Sequence, residues 1–449
     1  MASTGREQSR TVDQKSAPPQ GSCADTDQLL PRLLAGIGEQ SMVALDQHQD
    51  VHGPPPDLRR WPPAEIIQLV ESAGLRGHGG ASFPVARKLR AVASRRGRPI
   101  VVANGSEGEP ASKKDRALLR ELPHLVLDGA AVAAHAVGAR EAIVVVSSED
   151  ERSMRSLGAA LHDRAAARLH GDPEFELFAL APGFVAGQET AVVSALNGGP
   201  AKPTFAPPLP FERGVRRRPT LVQNVETLAH LALIARHGAA WFRELGTAHD
   251  PGSALVTVSG AVAAPGVYEI EHGMPLPELL DVVRPTDHVA AVLVGGYFGT
   301  WLAPGAAQEA RLSGEELRER GAALGAGVIV VLGADACPVA ETARIAGWFA
   351  AESAGQCGPC VNGLDAIAAT VHQLATGTAS RTAWSDLERW VRDMPRRGVC
   401  QHPDGAIRFI SSALGAFELE LRDHARRGRC ERCDGPAVLP APIRARSRG

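Results

Sequence analysis

Apolar positions along the chain fall into two spacings. Over 62–74, Ile66, Ile67, Leu69 and Val70 recur at helical spacing and form an apolar face, and Gly74 is placed to cap that helix. Short unbroken apolar runs at 98–104 (RPIVVAN) and Glu141–Ser147 (EAIVVVS) predict buried strands, with a helix between them over 125–137. This β–α alternation predicts a layered α/β sheet, in which ligands sit at the C-terminal ends of strands. Further on, 255–259, 266–269 and 290–294 predict short strands around a short helix at Leu276–Val283, a small α+β module. One more strand is predicted at 327–332 (GVIVVL). From 337 to about 425 the pattern is helical, as in 341–353 and 360–374, so the last third reads as a helix bundle. The stretch 196–219 is dense in Pro and Arg, a longer loop than a compact domain keeps without a use.

Composition bears on function more than on fold. The chain has 449 residues, 44% of them apolar, enough for several cores. Its 48 Lys and Arg against 50 Asp and Glu leave a net charge of −2, so no global basic field draws it to nucleic acid or an anionic membrane. Only Lys15, Lys88, Lys113, Lys114 and Lys202 are lysines, against 43 arginines, so a single arginine carries little functional weight. No stretch reaches the ~18 uninterrupted apolar residues of a membrane helix. The first 21 residues are polar and lack an apolar signal core, which predicts a disordered tail and a cytoplasmic location without membrane insertion. The seven cysteines are Cys23, Cys337, Cys357, Cys360, Cys400, Cys430 and Cys433; two C-x-x-C pairs in a reducing compartment favour metal over disulfides.

Four polar loops could carry chemistry. In Gly74-Leu-Arg-Gly-His-Gly-Gly80, closely spaced glycines let backbone amides approach a phosphate, although by spacing alone the loop is also an ordinary turn after a helix. Asn104-Gly-Ser-Glu-Gly-Glu-Pro110 places two carboxylates and an amide just past a strand. Gly187-Gln-Glu-Thr190 opens a helix, and Gln223-Asn-Val-Glu-Thr227 follows in the same manner.

In order and at these separations, the four loops resemble the NADH-dehydrogenase flavoprotein of respiratory complex I, the F-type component of NADH-quinone oxidoreductase, whose module recurs in NAD-linked hydrogenases and formate dehydrogenases. The matching stretches are 74–88 (GLRGHGGASFPVARK), 104–116 (NGSEGEPASKKDR), 187–191, 219–228 (PTLVQNVETL) and 352–363 (ESAGQCGPCVNG). The resemblance implies an α/β fold in three parts: a layered FMN-binding domain, a small ubiquitin-like β-grasp module, and a C-terminal helical bundle with an iron–sulfur site. The expected boundaries are a disordered tail at 1–50, the FMN/NADH domain at 51–245, the β-grasp module at 246–335, the bundle at 336–426 and a flexible tail at 427–449.

Carried over residue by residue, the resemblance implies that Gly77, Gly79, Gly80 and Lys88 hold the flavin phosphate and ribityl chain. Asn104, Glu107, Gly187, Glu189, Asn224 and Thr227 complete the flavin site, Phe83 flanks the dinucleotide, and Glu109 lies on the nicotinamide side as the catalytic candidate. A buried phosphate needs backbone amides and one cation, which Lys88 can supply as a point charge. The implied activity is hydride transfer from NADH to FMN, then single electrons through an iron–sulfur centre to a ferredoxin-like or complex I-type partner.

The sequence departs from this family at telling places. Its cluster uses four cysteines, and Ala354 stands where the first would be, leaving Cys357, Cys360 and Cys400. Four outcomes stay open: a three-thiolate site with a [3Fe–4S] cluster or a [4Fe–4S] cluster with an outside ligand, rescue by Cys430 or Cys433, loss of the cluster, or a zinc site of Cys357, Cys360, Cys430 and Cys433. Cys337 is expected as a buried thiol at a helix start and Cys23 as a tail residue. Two aromatic contacts to the dinucleotide align with Ala91 and Leu209 and a basic one with Ala206, a loss of about 1–3 kcal/mol per contact. Near the flavin, Ser106, Gly108, Phe184, Gln188 and Gln223 replace family residues, mostly removing negative charge and favouring an anionic reduced flavin. The other functions consistent with the sequence are a non-catalytic flavin-binding docking protein and a zinc-stabilised α/β protein without redox chemistry.

Overall fold

The structure, a computed structural model, describes residues 30–37 and 43–442. Cys23, with residues 1–29 and 38–42 of the first expected tail and 443–449 of the second, lies outside the described residues. Four parallel strands make the first sheet: β1 (Ile100–Gly105), β2 (Glu141–Ser147), β3 (Glu174–Leu180) and β4 (Thr220–Asn224), in the order β3-β2-β1-β4. β1 and β2 are almost wholly apolar because both of their faces are covered. Val101, Ala103 and Val144 face a core shared with helices Pro63–Ala73, Pro123–Val137 and Val225–Phe242. Ile100, Val102 and Val145 face a smaller core with Val192 of helix Glu189–Leu196. Helices Pro123–Val137 and Val225–Phe242 approach so closely at Gly129 that a Cβ there would lie 1.8 Å from the Leu228 carbonyl oxygen. As the sequence predicts, Gly74 ends its helix in the left-handed conformation, with φ 76°.

A buried carboxylate locks four helices of this unit together. Asp128 accepts from His48 Nε2 at 2.9 Å, from Arg164 at 2.7 Å and from Arg236. Burial alone would raise its pKa, but these three partners outweigh it and hold the carboxyl well below the usual range.

The second sheet contains β5 (Ser253–Gly260), β6 (Gly266–Glu271), β7 (Val289–Val294), β8 (Thr300–Leu302) and β9 (Val328–Gly333), ordered β6-β5-β9-β7-β8. Its first and last strands are parallel neighbours in the middle and the other pairs are antiparallel, with helix Leu276–Val283 in the core beneath. That is the β-grasp arrangement expected from the sequence. The helices Pro338–Ala351, Leu364–Thr376, Ala383–Asp393, His402–Ala416 and Glu418–Arg427 then form the bundle around a third core. Among the described residues no helix is long and apolar enough to cross a membrane.

Both expected tails depart from expectation where they are described. Leu33 is fully buried, and the backbone N–H groups of Arg32, Leu33 and Leu34 donate to Glu269 Oε2 at 2.8, 2.8 and 3.1 Å, fastening this segment to β6. Leu45–His52 is a helix. At the other end Leu439 is fully buried, and Glu341 accepts from the Val438 and Leu439 N–H groups at 3.1 and 2.9 Å. Each tail carries one apolar anchor beside backbone donors that meet a distant carboxylate, a pairing only the fold brings about.

Candidate functional site

The C-terminal ends of β1 and β4 lie side by side, with Asn104 opposite Asn224 in register. Asn224 caps helix Val225–Phe242 by accepting from Glu226 N–H at 3.0 Å and donates to Asp115 Oδ2 at 2.7 Å. Asn104 donates to the Gly187 carbonyl at 2.8 Å and accepts from Ser106 N–H at 3.2 Å. The glycine-rich loop lies against this edge: a Cβ on Gly79 would be 3.3 Å from Asn224 Cβ. Its His78 N–H donates to Thr227 Oγ1 at 2.9 Å, and Gly77 N–H closes on Phe83 O at 2.9 Å. Gly80 has φ 101°, a conformation open to glycine and strained for any side chain. Lys88 reaches the same edge, donating to the Val222 carbonyl at 2.7 Å and pairing with Glu189 at 3.0 Å.

The structure thus gathers Gly77, Gly79, Gly80, Lys88, Asn104, Gly187, Glu189, Asn224 and Thr227 at one strand edge. It also departs from the expected roles: the side chains of Asn104, Asn224 and Thr227 are occupied in holding loops. Glu107 is likewise committed, accepting from Ser112 Oγ at 2.5 Å and from the Asp115 and Arg116 N–H groups at 3.2 and 3.3 Å. What remains for a ligand is a different set. The exposed amides of Gly79 and Gly80 make no hydrogen bond among the described residues. Gln223 Nε2 is buried without a partner, the Lys88 ammonium is half-buried, and Phe83 stands 49% exposed at the loop's end. The Gly79 and Gly80 amides, with the one N–H that the Lys88 ammonium keeps beyond its bonds to Val222 and Glu189, suit the phosphate of a flavin mononucleotide.

Beneath the loop runs a buried network that sequence spacing alone did not reveal. Lys114 Nζ bonds Asp115 and Glu226, both at 2.8 Å, and Glu226 pairs with His78 Nδ1 at 3.0 Å. Burial by itself would lower the Lys114 pKa, but Asp115 and Glu226 overcome it and raise it, so the ammonium stays charged. The available signal was that Lys114 is one of five lysines in an arginine-rich chain. A compact ammonium between two buried carboxylates is a position where guanidinium is a poor substitute.

A hollow of about 420 Å³ opens beside Arg76, Gly77, His78 and Gly80, with Arg318 and Arg408 across it from the β-grasp module and the bundle. A second, of about 210 Å³, lies at Ser106, Glu107, Gly108 and Arg116. Glu109 joins the first sheet's unit to the β-grasp module: its Oε2 accepts from Tyr297 N–H at 3.0 Å, while its buried Oε1 has no partner among the described residues. Burial pushes its carboxyl from 4.5 up to about 7, against the Tyr297 and Ala111 N–H groups that pull it down. The folded ligand-free protein therefore holds a proton there between about pH 4.5 and 7 that the unfolded chain releases. Stability falls as pH rises through that window and stays lower above it. Glu109→Gln removes this loss, so at pH 8 the variant should exceed the wild type by up to ~3 kcal/mol. Urea unfolding at pH 5 and pH 8 checks this, and parallel pH dependence in the two proteins would contradict it.

Residues 70–233 match the family model of the Nuo51 FMN-binding domain, and residues 340–424 match that of the NADH-ubiquinone oxidoreductase-F iron–sulfur binding region. Over 381 residues the chain is 33% identical to the second F-type NADH-quinone oxidoreductase component of Rhizobium meliloti (strain 1021), covering 81% of this chain and 89% of that one. The chain belongs to the family of NADH-quinone oxidoreductase F-type flavoproteins. It is 30% identical to the mitochondrial NADH dehydrogenase [ubiquinone] flavoprotein 1 of Dictyostelium discoideum, over 79% of this chain and 78% of that one. Among solved structures it resembles an NAD+-reducing [NiFe]-hydrogenase in the H2-reduced state, with TM-score 0.78 and 34% identity over 83% of this chain. It spans 66% of that hydrogenase chain.

In this flavoprotein Cys357 and Cys400 of the iron–sulfur region lie near enough to Cys360 to act on it electrostatically. Burial pushes the Cys360 thiol up to about 11, with Cys357 and Cys400 adding to the rise while the Ser353 hydroxyl opposes it. Ala354 is buried and offers no ligand atom. These three thiols fit a three-thiolate iron–sulfur site. Rescue by Cys430 or Cys433, and a zinc site combining them with Cys357 and Cys360, are both corrected by the fold. Cys433 Sγ lies 3.5 Å from Cys337 Sγ and 3.8 Å from Cys430 Sγ, in a separate cluster with His424. Cys337 does sit at a helix start, capping Pro338–Ala351.

Proposed function

We propose that this chain is an FMN-dependent NADH:acceptor oxidoreductase that delivers electrons to a ferredoxin-like or complex I-type iron–sulfur partner. It acts in the cytoplasm without inserting into a membrane. The observation that supports the reading is the convergence of the Gly79 and Gly80 amides, Lys88 and the paired ends of β1 and β4 on one edge. When bound, the flavin supplies the step from a two-electron hydride donor to one-electron carriers, which no side chain can supply. Gly79, Gly80 and Lys88 would bind its phosphate, and Asn104 and Asn224 hold the loops that shape the pocket. Glu109, titrating about 7 with Oε1 uncommitted, holds or releases a proton at that atom at neutral pH. Cys357, Cys360 and Cys400 would hold the iron–sulfur centre, placed next to the flavin-type domain by the 2.9 Å bond from Phe184 N–H to Glu352.

Replacing the charged donor tests this site. Lys88→Met should weaken FMN binding on the order of 10- to 100-fold, the worth of a charge-assisted hydrogen bond, with circular dichroism unchanged. FMN affinity equal to the wild type would remove Lys88 from the site. A second reading, a flavin-binding docking protein, is favoured by the rim. Leu209 is 43% exposed, and with Ala91 and Ala206 it stands where two aromatic contacts and one basic contact to the dinucleotide would be, leaving Phe83 as the remaining ring.

A further inference from the structure

The family's iron–sulfur residues leave a second thiol cluster unexplained. Cys430 and Cys433 sit on one tight turn, with Cys433 N–H bonded to Cys430 O at 3.2 Å, and their sulfurs are 3.8 Å apart. Cys433 Sγ is 3.5 Å from Cys337 Sγ, which is 3.7 Å from His424 Nε2. All four ligand atoms lie within 4.8 Å of one another. These separations exceed the ~2.05 Å of a disulfide. They match the edges of a tetrahedron around one ion, ~3.5–3.8 Å for Zn–S ≈ 2.3 Å and Zn–N ≈ 2.0–2.1 Å. A cubane cluster attaches each thiolate to a different iron and would spread them farther apart.

Surrounding hydrogen bonds prepare the donors independently. His424 Nδ1 lies 3.1 Å from the Leu374 carbonyl. A carbonyl only accepts, so the ring proton is on Nδ1 and the Nε2 lone pair faces the sulfurs. This is the usual support for a metal-bound histidine. Cys337 Sγ accepts from Ala340 N–H at 3.4 Å at the start of its helix, which fixes the sulfur facing the other donors. Cys337 and His424 are almost fully buried.

We infer that Cys337, His424, Cys430 and Cys433 bind one structural zinc ion, separate from the iron–sulfur site. Three thiolates and an imidazole suit zinc, and four protein ligands leave no open position for substrate. The ion ties the start of helix Pro338–Ala351, the last turn of helix Glu418–Arg427 and the segment 428–442 into one knot. From that knot the chain runs on to Leu439, whose carbonyl accepts from Arg344, and to Pro440, whose carbonyl accepts from Tyr297 Oη. Tyr297 is the residue whose N–H holds Glu109, so the zinc secures a strap that reaches the residue bonded to Glu109. The inference rests on this cluster alone and stands whether or not the flavin reading does.

The test is metal analysis of the full-length protein produced in zinc- and iron-supplemented medium. One zinc per chain is expected. Cys433→Ser should lose it with iron and FMN content retained, while Cys357→Ser should lose iron and keep zinc. Because the serine variant could fail to fold, His424→Cys provides a second arm: it keeps four ligands and should retain one metal. Exchanged for cobalt, the wild type should show the intense visible bands of tetrahedral thiolate coordination, shifted in the cysteine variant. Wild-type protein with less than a fifth of an equivalent of zinc would overturn the assignment. So would zinc content unaffected by Cys433→Ser, or iron lost from Cys433→Ser in place of zinc.

Discussion

Lys114→Met should destabilise the protein by about 3–5 kcal/mol, because it leaves Asp115 and Glu226 as buried carboxylates without their shared cation. The same substitution should weaken FMN binding at a distance. Asp115 holds Asn224 at the end of β4, and Glu226 holds His78 in the glycine-rich loop, so both walls of the pocket lose their anchor. Lys114→Arg should not rescue, since a planar guanidinium does not fit where one ammonium bonds two carboxylates. Urea unfolding gives the stability, and a flavin fluorescence titration of the folded variant gives the affinity. A loss under about 1 kcal/mol would mean the network is solvated and does not brace the loop.

Ala354→Cys should restore the fourth thiolate that the resemblance places at this position. Three thiolates leave one corner iron without a protein ligand, the iron most easily lost to oxidant; a fourth cysteine retains it. The expected result is about one more iron per chain after aerobic purification and a changed electron-paramagnetic-resonance spectrum. Ala354 is buried, so the added sulfur could cost about 1–3 kcal/mol if the site does not open toward it, and a thermal melt separates that outcome. Unchanged iron content in a folded variant would show that position 354 does not face the cluster.

The scaffold was largely legible in the sequence because its signals are local. The runs in β1 and β2 are apolar on both faces of a parallel strand, Gly74 marks a helix end through its backbone, and the spacing of short strands around Leu276–Val283 announced a small α+β module, which the family resemblance made a β-grasp. The glycine-rich loop, Lys88, Asn104 and Asn224 were also legible as one site, through their order along the chain. Their division of labour was not. Asn104 and Asn224 are spent on Gly187 and Asp115, partners distant in the chain. The same holds for Lys114 with Glu226, and for Arg32, Leu33 and Leu34 with Glu269. Spacing announces a C-x-x-C pair but not which distant thiol or imidazole completes it, so Cys430 and Cys433 could not be assigned before Cys337 and His424 were seen beside them.

The central claim is that these matched loops build a working donor site. It is tested most directly by anaerobic titration of the FMN- and iron-replete protein with NADH, followed by visible and electron-paramagnetic-resonance spectroscopy. Near-stoichiometric NADH is expected to bleach the flavin band and change the iron–sulfur signal. Protein that retains FMN yet keeps its oxidised spectrum in excess NADH would contradict the claim and make the chain a docking protein.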